Sequence, residues 1–244
     1  IKYNYHNVLL ALAFTISLYI FLEKKVKYPS VLFLFIIAYS ISIFTERGRA
    51  GQVIFNLVSI FYIVYYNINK KYILRGFLIL LLLLSFQFII YNSTTTYKGR
   101  LDAVSNIIKN KGQKEEGNLD IRYIFVKESL NRIIKNPVLG YGTGSFGTIF
   151  KKEVKSVYYF DKHTTPHNQY LYVWFELGVV GLSLLILIFY YQIKNLFSKK
   201  DGIHRILLPL SFMFLMLVDS YFFIFTLTIA YIYLFTIYSR YQSE

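Results

Sequence analysis

Long apolar runs recur along most of this chain, and their length constrains the fold more than any other feature. Of the 244 residues, 55% are hydrophobic and only 16% are charged. A helix of about 20 apolar residues crosses the hydrocarbon core of a bilayer. The sequence predicts seven spans of this kind, at about 5–22, 29–45, 52–68, 73–91, 168–193, 206–219 and 220–238. An ordinary water-soluble domain is thereby excluded.

The spans are predicted to be helices, because a backbone in lipid must satisfy its hydrogen bonds within its own segment. Strands of a membrane barrel alternate in polarity, and the run Leu78–Leu84 does not. We therefore predict an all-α integral membrane protein in which residues 1–244 form one multispanning helical bundle. Residues 92–167 are predicted to form a large external loop that contains short amphipathic helices.

Basic residues predict the orientation of the spans. They follow the first, third, fifth and last spans, at Lys24, Lys25, Lys27, Lys70, Lys71, Arg75, Lys194, Lys199, Lys200, Arg205 and Arg240. Short basic loops stay in the cytoplasm. The segment Glu46–Ala50 and the loop 92–167 are therefore predicted to face the other side of the membrane.

The external loop is itself basic, with 13 Lys or Arg against 7 Asp or Glu. Long loops escape the rule that keeps basic residues in the cytoplasm, so this excess indicates an anionic ligand. Nucleic acid is not expected as a partner, because a basic stripe on a multispanning protein has no route to DNA. Cysteine is absent, which excludes disulfides and thiolate metal sites. Because the chain starts at Ile1 without a recognisable signal peptide, we interpret it as the C-terminal part of a longer protein.

Arginines at two places are candidates for binding an anion. Arg47 and Arg49 flank Gly48 at the outer end of the second span. Two guanidinium groups there would grip a phosphate, and Gly48 would let the backbone come close. The alternative is that both arginines extend to lipid headgroups.

The second candidate is Arg122, which begins an amphipathic stretch that ends at Lys135, before Asn136-Pro137. We predict that this stretch is a helix on the outer membrane surface, with Arg132 and Lys135 as anchors. Because the helix dipole disfavours a cation at the helix start, Arg122 is expected to pair with Asp120 or with an anionic ligand.

Two other motif matches are rejected. Gly142–Gly147 fits the dinucleotide fingerprint, but that fingerprint works only between a strand and a helix. Its glycines, with Gly140, are interpreted as a tight external turn that approaches the substrate. His163 and His167 have the spacing of zinc ligands on a helix, but Pro166 between them opposes helical geometry. We expect no metal and no cofactor.

His167 is predicted to lie in the first turn of the fifth span, because Pro166 favours a helix start. The positive end of the helix dipole keeps the imidazole neutral, as a general base requires. The alternative is a histidine that marks the membrane–water boundary. Glu176 points to the opposite side of the helix and is interpreted as a packing or salt-bridge residue. Gly178 and Gly181 are predicted to form a face for close helix contact.

Three segments resemble the O-antigen ligase and O-antigen polymerase superfamily, in the right order. Thr45-Glu46-Arg47-Gly48 is similar to its Ser-Arg-Gly segment, with Glu46 in place of the serine. Arg122 followed by Asn136–Gly142 is similar to its Arg…Pro-x-x-Gly-x-Gly segment. His167-Asn168, nine residues and Gly178-Val179-Val180-Gly181 fit its third motif without a mismatch.

The resemblance implies a metal-independent membrane glycosyltransferase of the GT-C type, in a bacterial inner membrane with its active site facing the periplasm. The donor would be a glycan on undecaprenyl pyrophosphate, and membrane lipids would surround the protein. The acceptor would be a hydroxyl of lipid A-core, of another lipid-linked glycan or of a protein. Arg47 and Arg122 would hold the diphosphate and stabilise the leaving group, with Arg49 as a helper. His167 would deprotonate the acceptor hydroxyl as the catalytic base.

Several functions remain open under this resemblance. Ligase, polymerase and protein O-oligosaccharyltransferase differ in acceptor, and acceptor choice depends on the shape of the substrate groove. A flippase or transporter of polyprenyl-linked glycans would use the same arginines without chemistry. The need for His167 discriminates between these classes, since a flippase has no use for a general base.

The alternating basic loops generate a prediction about topology that the cysteine-free chain makes simple to test. Single cysteines replacing Ser105 or Ser156 should react with a membrane-impermeant thiol reagent added from the periplasmic side. A cysteine replacing Ser198 should react only after the membrane is permeabilised. Labelling of the Ser198→Cys variant alone in intact membranes would invert the predicted orientation.

Overall fold

A computed structural model describes residues 3–23, 26–46, 48–68, 72–95, 98–99, 118–153, 165–199 and 201–240. Within these ranges the side chains of residues 3–4, 118–124 and 151–153 are not described. Arg47, Ser105, Ser156 and His163 lie outside the described residues.

Every regular element in the described ranges is helical, which confirms the all-α prediction. The α-helices are α1 (Tyr3–Leu22), α2 (Pro29–Thr45), α3 (Arg49–Ile63), α4 (Ile73–Ser93), α5 (Asn118–Ile133), α6 (Ser145–Glu153), α7 (Gln169–Phe197), α8 (Gly202–Arg205), α9 (Leu207–Val218) and α10 (Phe225–Arg240). Val64–Ile68 continue α3 as a π-helix, and Tyr221–Phe223 form a 3₁₀ turn between α9 and α10.

All seven predicted spans fall on helices, at α1 to α4, α7, α9 and α10. Four helical segments of the described chain are long and apolar enough to cross a membrane: Tyr5–Leu22, Arg49–Asn67, Ile73–Ser93 and Gln169–Phe197. Pro29–Thr45 and Gly202–Val218 are shorter apolar helices. The described helices group into two compact units, with α1 to α4 in Ile1–Lys114 and α5 to α10 in Glu115–Gln242.

In the first unit, the fully buried Asn7 of α1 fastens the turn between α2 and α3. Its Nδ2 donates to Ile43 O at 2.8 Å, and its Oδ1 accepts from Gly51 N at 2.8 Å. A Cβ on Gly48 would lie 2.5 Å from the Asn7 Cβ. The lack of a side chain at Gly48 therefore makes room for Asn7.

In the second unit, an aromatic core joins α5 and α6 to the beginning of α7. Its buried members are Phe125, Ile133, Phe146, Phe150 and Phe175. The apolar face of α5 that carries Phe125 and Ile133 is therefore covered by protein, and not by the membrane surface as predicted. Part of the apolar surface of α5 is still exposed, at Val126 and Leu130.

Arg132 shows the same difference from the sequence prediction. We expected it to anchor α5 to lipid headgroups, but it is only 8% exposed. Its Nη1 lies 2.9 Å from the carboxylate of Glu128, and its guanidinium lies over the ring of Phe150. Arg132 therefore fastens α5 to α6 inside this unit.

Helix α7 is broken at Gly178, where the backbone has φ 64° and ψ −166°, a combination open only to glycine. In an unbroken helix each N–H bonds to the carbonyl four residues earlier. The break prevents this, and the Asn136–Gly142 segment supplies the missing partners. Val179 N donates to Pro137 O at 2.9 Å, and Tyr141 N and Gly142 N donate to the carbonyls of Phe175 and Glu176 at 3.0 and 2.9 Å.

This exchange of hydrogen bonds requires the two backbones to touch. A Cβ on Gly140 would lie 2.6 Å from Gly178 N, and a Cβ on Gly178 would lie 1.9 Å from Val138 O. Gly178 was predicted to provide a surface for close helix contact. It provides close contact with a loop, and the helix breaks there to allow it.

The break predicts that Gly178→Ala destabilises the protein more than alanine at another glycine with positive φ. Gly144 is the matched control, because its φ is +75° but nothing lies within 4 Å of an added Cβ. The positive φ strains alanine at either position, and only Gly178→Ala adds a steric clash with a neighbouring backbone. The apparent melting temperature in detergent should fall further for Gly178→Ala. Equal melting temperatures for the two variants would contradict the packing described here.

Candidate functional site

His167 lies just before α7 and not in its first turn as predicted. Asn168 is the N-cap, with an extended backbone, and its side chain accepts from Leu171 N at 3.0 Å. His167 has φ 53°, in the left-handed region that is uncommon for residues other than glycine. The prediction failed because Asn168 is a better cap than Pro166 is a starting residue. The imidazole consequently stands beyond the helix end.

The His167 side chain faces Asp219, which the sequence analysis did not identify. Nδ1 of His167 lies 3.1 Å from Oδ1 of Asp219, and that oxygen also accepts from Ser220 N at 2.8 Å. Asp219 follows the last residue of α9 and begins the connection to α10. The two side chains are 28% and 23% exposed, so both are partly accessible at the surface.

Asn168 and Tyr170 attach the start of α7 to the same α9–α10 region. Asn168 Nδ2 donates to Leu217 O at 3.3 Å, and the Tyr170 hydroxyl donates to Met213 O at 2.9 Å. The backbone next to His167 is thus fixed by the cap of α7 and by two hydrogen bonds to α9, the helix that ends at Asp219.

The ring of Phe125 on α5 also contacts His167. It meets the His167 imidazole edge to face, with 5.8 Å between ring centroids. Arg122 lies on the same helix, three residues before Phe125, and positions three apart share one side of a helix.

Glu176 is a packing residue, as the sequence indicated. It is buried, and its Oε1 accepts from Phe146 N at 3.3 Å, in the first turn of α6. A carboxylate therefore occupies the helix end to which a dinucleotide-binding loop would bring phosphate. Gly142 and Gly144 do have positive φ, as a tight turn requires.

In the first unit, Arg49 is the first residue of α3 and its side chain is exposed. The neighbouring Glu46 carboxylate lies 3.7 Å from Nδ1 of His6. Arg47 lies outside the described residues.

Asp219 was not predicted as a site residue because none of the three sequence motifs contains it. A signal was nevertheless present, since Asp219 is the only charged residue between Arg205 and Arg240. An ionisable residue within an apolar stretch of membrane-spanning length indicates a functional site by default.

The pair has a defined chemical capacity. In the neutral imidazole one nitrogen carries a proton and the other does not. A carboxylate beside Nδ1 favours the tautomer in which Nδ1–H donates to Asp219, which leaves Nε2 as the proton acceptor. After Nε2 takes a proton, the negative carboxylate stabilises the imidazolium.

Comparison with known proteins places the chain in a family. A protein of Haemophilus influenzae described as uncharacterized is 30% identical over 208 residues, a match that covers 78% of this chain and 51% of that protein. The O-antigen ligase of Salmonella typhimurium is 34% identical over 61 residues, 23% of this chain and 15% of that enzyme. The chain thus spans about half the length of the first of these relatives. Residues 32–186 match the O-antigen ligase family, a region that includes all three predicted motifs, and the chain belongs to this family.

Proposed function

We propose that this protein transfers a glycan from undecaprenyl pyrophosphate to an acceptor hydroxyl at the periplasmic face of a bacterial inner membrane. The observation that carries the proposal is the His167–Asp219 pair, in a chain that belongs to the O-antigen ligase family. Transfer to a hydroxyl requires a base, and this pair supplies a partly exposed imidazole beside a carboxylate. The Salmonella typhimurium relative, named as an O-antigen ligase, favours an acceptor of the lipid A-core kind.

In the proposed reaction, Nε2 of His167 removes the proton of the acceptor hydroxyl while its oxygen attacks the anomeric carbon of the donor. The bond from that carbon to the diphosphate oxygen breaks, and undecaprenyl pyrophosphate leaves with the bonding electrons. Asp219 acts as a positioning residue, since it fixes the ring through Nδ1 and stabilises the imidazolium.

The leaving diphosphate needs positive charge, which we assign to arginines. Arg122 is supported by its place on α5, three residues before the phenylalanine that contacts His167. Arg47 and its helper Arg49 are supported by the resemblance of their segment to the family motif. A guanidinium group can hold two phosphate oxygens at once, and fixed charge is most effective where charge develops in the transition state.

The proposal predicts that His167→Ala nearly abolishes glycan transfer. A positioned base contributes about 10²- to 10⁴-fold, so the transfer rate should fall by that factor. Asp219→Asn should lower the rate at least about tenfold, because the amide neither selects the tautomer nor stabilises the imidazolium. Both variants should bind donor normally, since neither side chain is assigned to the diphosphate.

Purified protein in liposomes, with a lipid-linked glycan donor and a lipid A-core acceptor, provides the assay. Asp201→Asn is the matched control, because Asp201 precedes α8 with a left-handed backbone that asparagine also adopts. It should transfer at the parental rate. Transfer by His167→Ala at the parental rate would remove the base from the proposal and leave a flippase as the alternative.

The arginine assignment makes a separate prediction. Arg122→Lys or Arg47→Lys keeps the charge but loses the planar fork, so donor binding should weaken about ten- to a hundredfold. Donor affinity is measured by titration of the purified variants with the lipid-linked glycan. If the double variant Arg47→Ala/Arg122→Ala keeps the parental affinity for the donor, both residues are assigned to membrane anchoring instead.

A further inference from the structure

Gln169, the first residue of α7, has a side chain that is fully buried beside the His167–Asp219 pair. Its Oε1 accepts from Phe222 N at 3.1 Å, in the 3₁₀ turn that follows Asp219 and Ser220. The contact connects the residue two positions after the histidine with the residue three positions after the aspartate. Together with the hydrogen bond from Asn168 to Leu217 O, it therefore joins the two backbone segments that carry the pair.

The connection from α9 to α10 is closed by local hydrogen bonds. Ser220 N is taken by the Asp219 carboxylate, and Phe223 N and Ile224 N donate to Ser220 O and Tyr221 O at 3.3 and 3.1 Å. Asp219 itself has an extended backbone, so it ends α9 without continuing a helix. The Gln169 amide oxygen accepts from Phe222 N and thereby holds this turn against α7.

The other end of the same amide indicates what Gln169 is used for. Its Nε2 is buried and has no hydrogen-bond partner among the described residues. A buried donor left unsatisfied lowers stability, whereas a side chain without polar atoms would avoid that cost. Turning the amide over would place NH₂ against the N–H of Phe222 and lose the one contact it makes. The position therefore uses glutamine for its acceptor oxygen.

We propose that Gln169 is a positioning residue that holds the turn after Asp219 and, through it, the alignment of Asp219 with His167. This inference rests on the proposed function, because its consequence for catalysis follows only if His167 is the base. Misplacing a catalytic group by about 1 Å costs up to about 100-fold in rate, so a single remote hydrogen bond is enough to matter.

The test replaces glutamine by methionine, which has a similar length and no strong acceptor. Gln192→Met is the matched control. Gln192 is on the same helix, and its Oε1 also accepts a hydrogen bond, from the Tyr231 hydroxyl on α10. Gln169→Met should lower kcat for glycan transfer about ten- to a hundredfold, with the KM for donor changed by less than about twofold. Gln192→Met should keep the parental kcat.

A double variant separates positioning from a general structural role. If Gln169 acts through Asp219, Gln169→Met should cost nothing further in an Asp219→Asn background. A double variant whose loss equals the product of the two single losses would overturn the inference, as would a Gln169→Met variant with parental kcat.

Hydrogen exchange tests the same contact without any assay of transfer. Loss of the Gln169 bond should speed amide exchange in the 219–224 segment about fivefold or more in Gln169→Met, and not in Gln192→Met. Unchanged exchange there would refute the inference even if transfer proves to depend on His167. Faster exchange in a protein that shows no transfer at all would sustain the contact and reject the proposed function instead.

Discussion

The second unit depends on the backbone exchange at Gly178. A helix that breaks within an apolar stretch exposes carbonyls and an N–H that lipid cannot satisfy. Here Pro137, Tyr141 and Gly142 supply one partner for each of three exposed groups, at 2.9 to 3.0 Å. The break is thus compatible with a membrane-embedded helix only while the loop is in place. Conversely, these three hydrogen bonds fix the position of the loop against α7.

This exchange explains why two motifs that are far apart in the sequence belong together. The Pro-x-x-Gly-x-Gly segment and the glycines that follow His167 are the two halves of one contact, because Gly140 and Gly178 permit the same close approach. The loop follows α5, and the part of α7 before the break follows His167 and the cap residue Asn168. The contact therefore sets the distance between the helix that carries Arg122 and the histidine, and the aromatic core around Phe175 fills the space between them.

The helices at the predicted spans could be found from the sequence because their signal, a long apolar run, is local and strong. Four of the described helical segments are long and apolar enough to cross a membrane. Gly140 and Glu176 were also interpreted in ways that agree with their roles in a turn and in packing. The site itself was predicted only in part. The pairing of His167 with Asp219 links residues 52 positions apart, and no local pattern encodes such a contact. Arg132 was assigned to the membrane surface because helical periodicity shows which residues share a face and does not show what covers that face.

The remaining errors of prediction share a physical cause. His167 with φ 53° and Gly178 with φ 64° both depart from helical geometry, within a stretch whose composition favours a continuous helix. Backbone strain of this kind persists only where surrounding contacts over-determine it. At His167 those contacts are the carboxylate of Asp219, the ring of Phe125 and the cap formed by Asn168. At Gly178 they are the bonds to the loop. Rules based on neighbouring residues therefore fail at these two points. The departure at His167 gives a fixed, partly exposed imidazole, and a catalytic group is expected to be held at such a place.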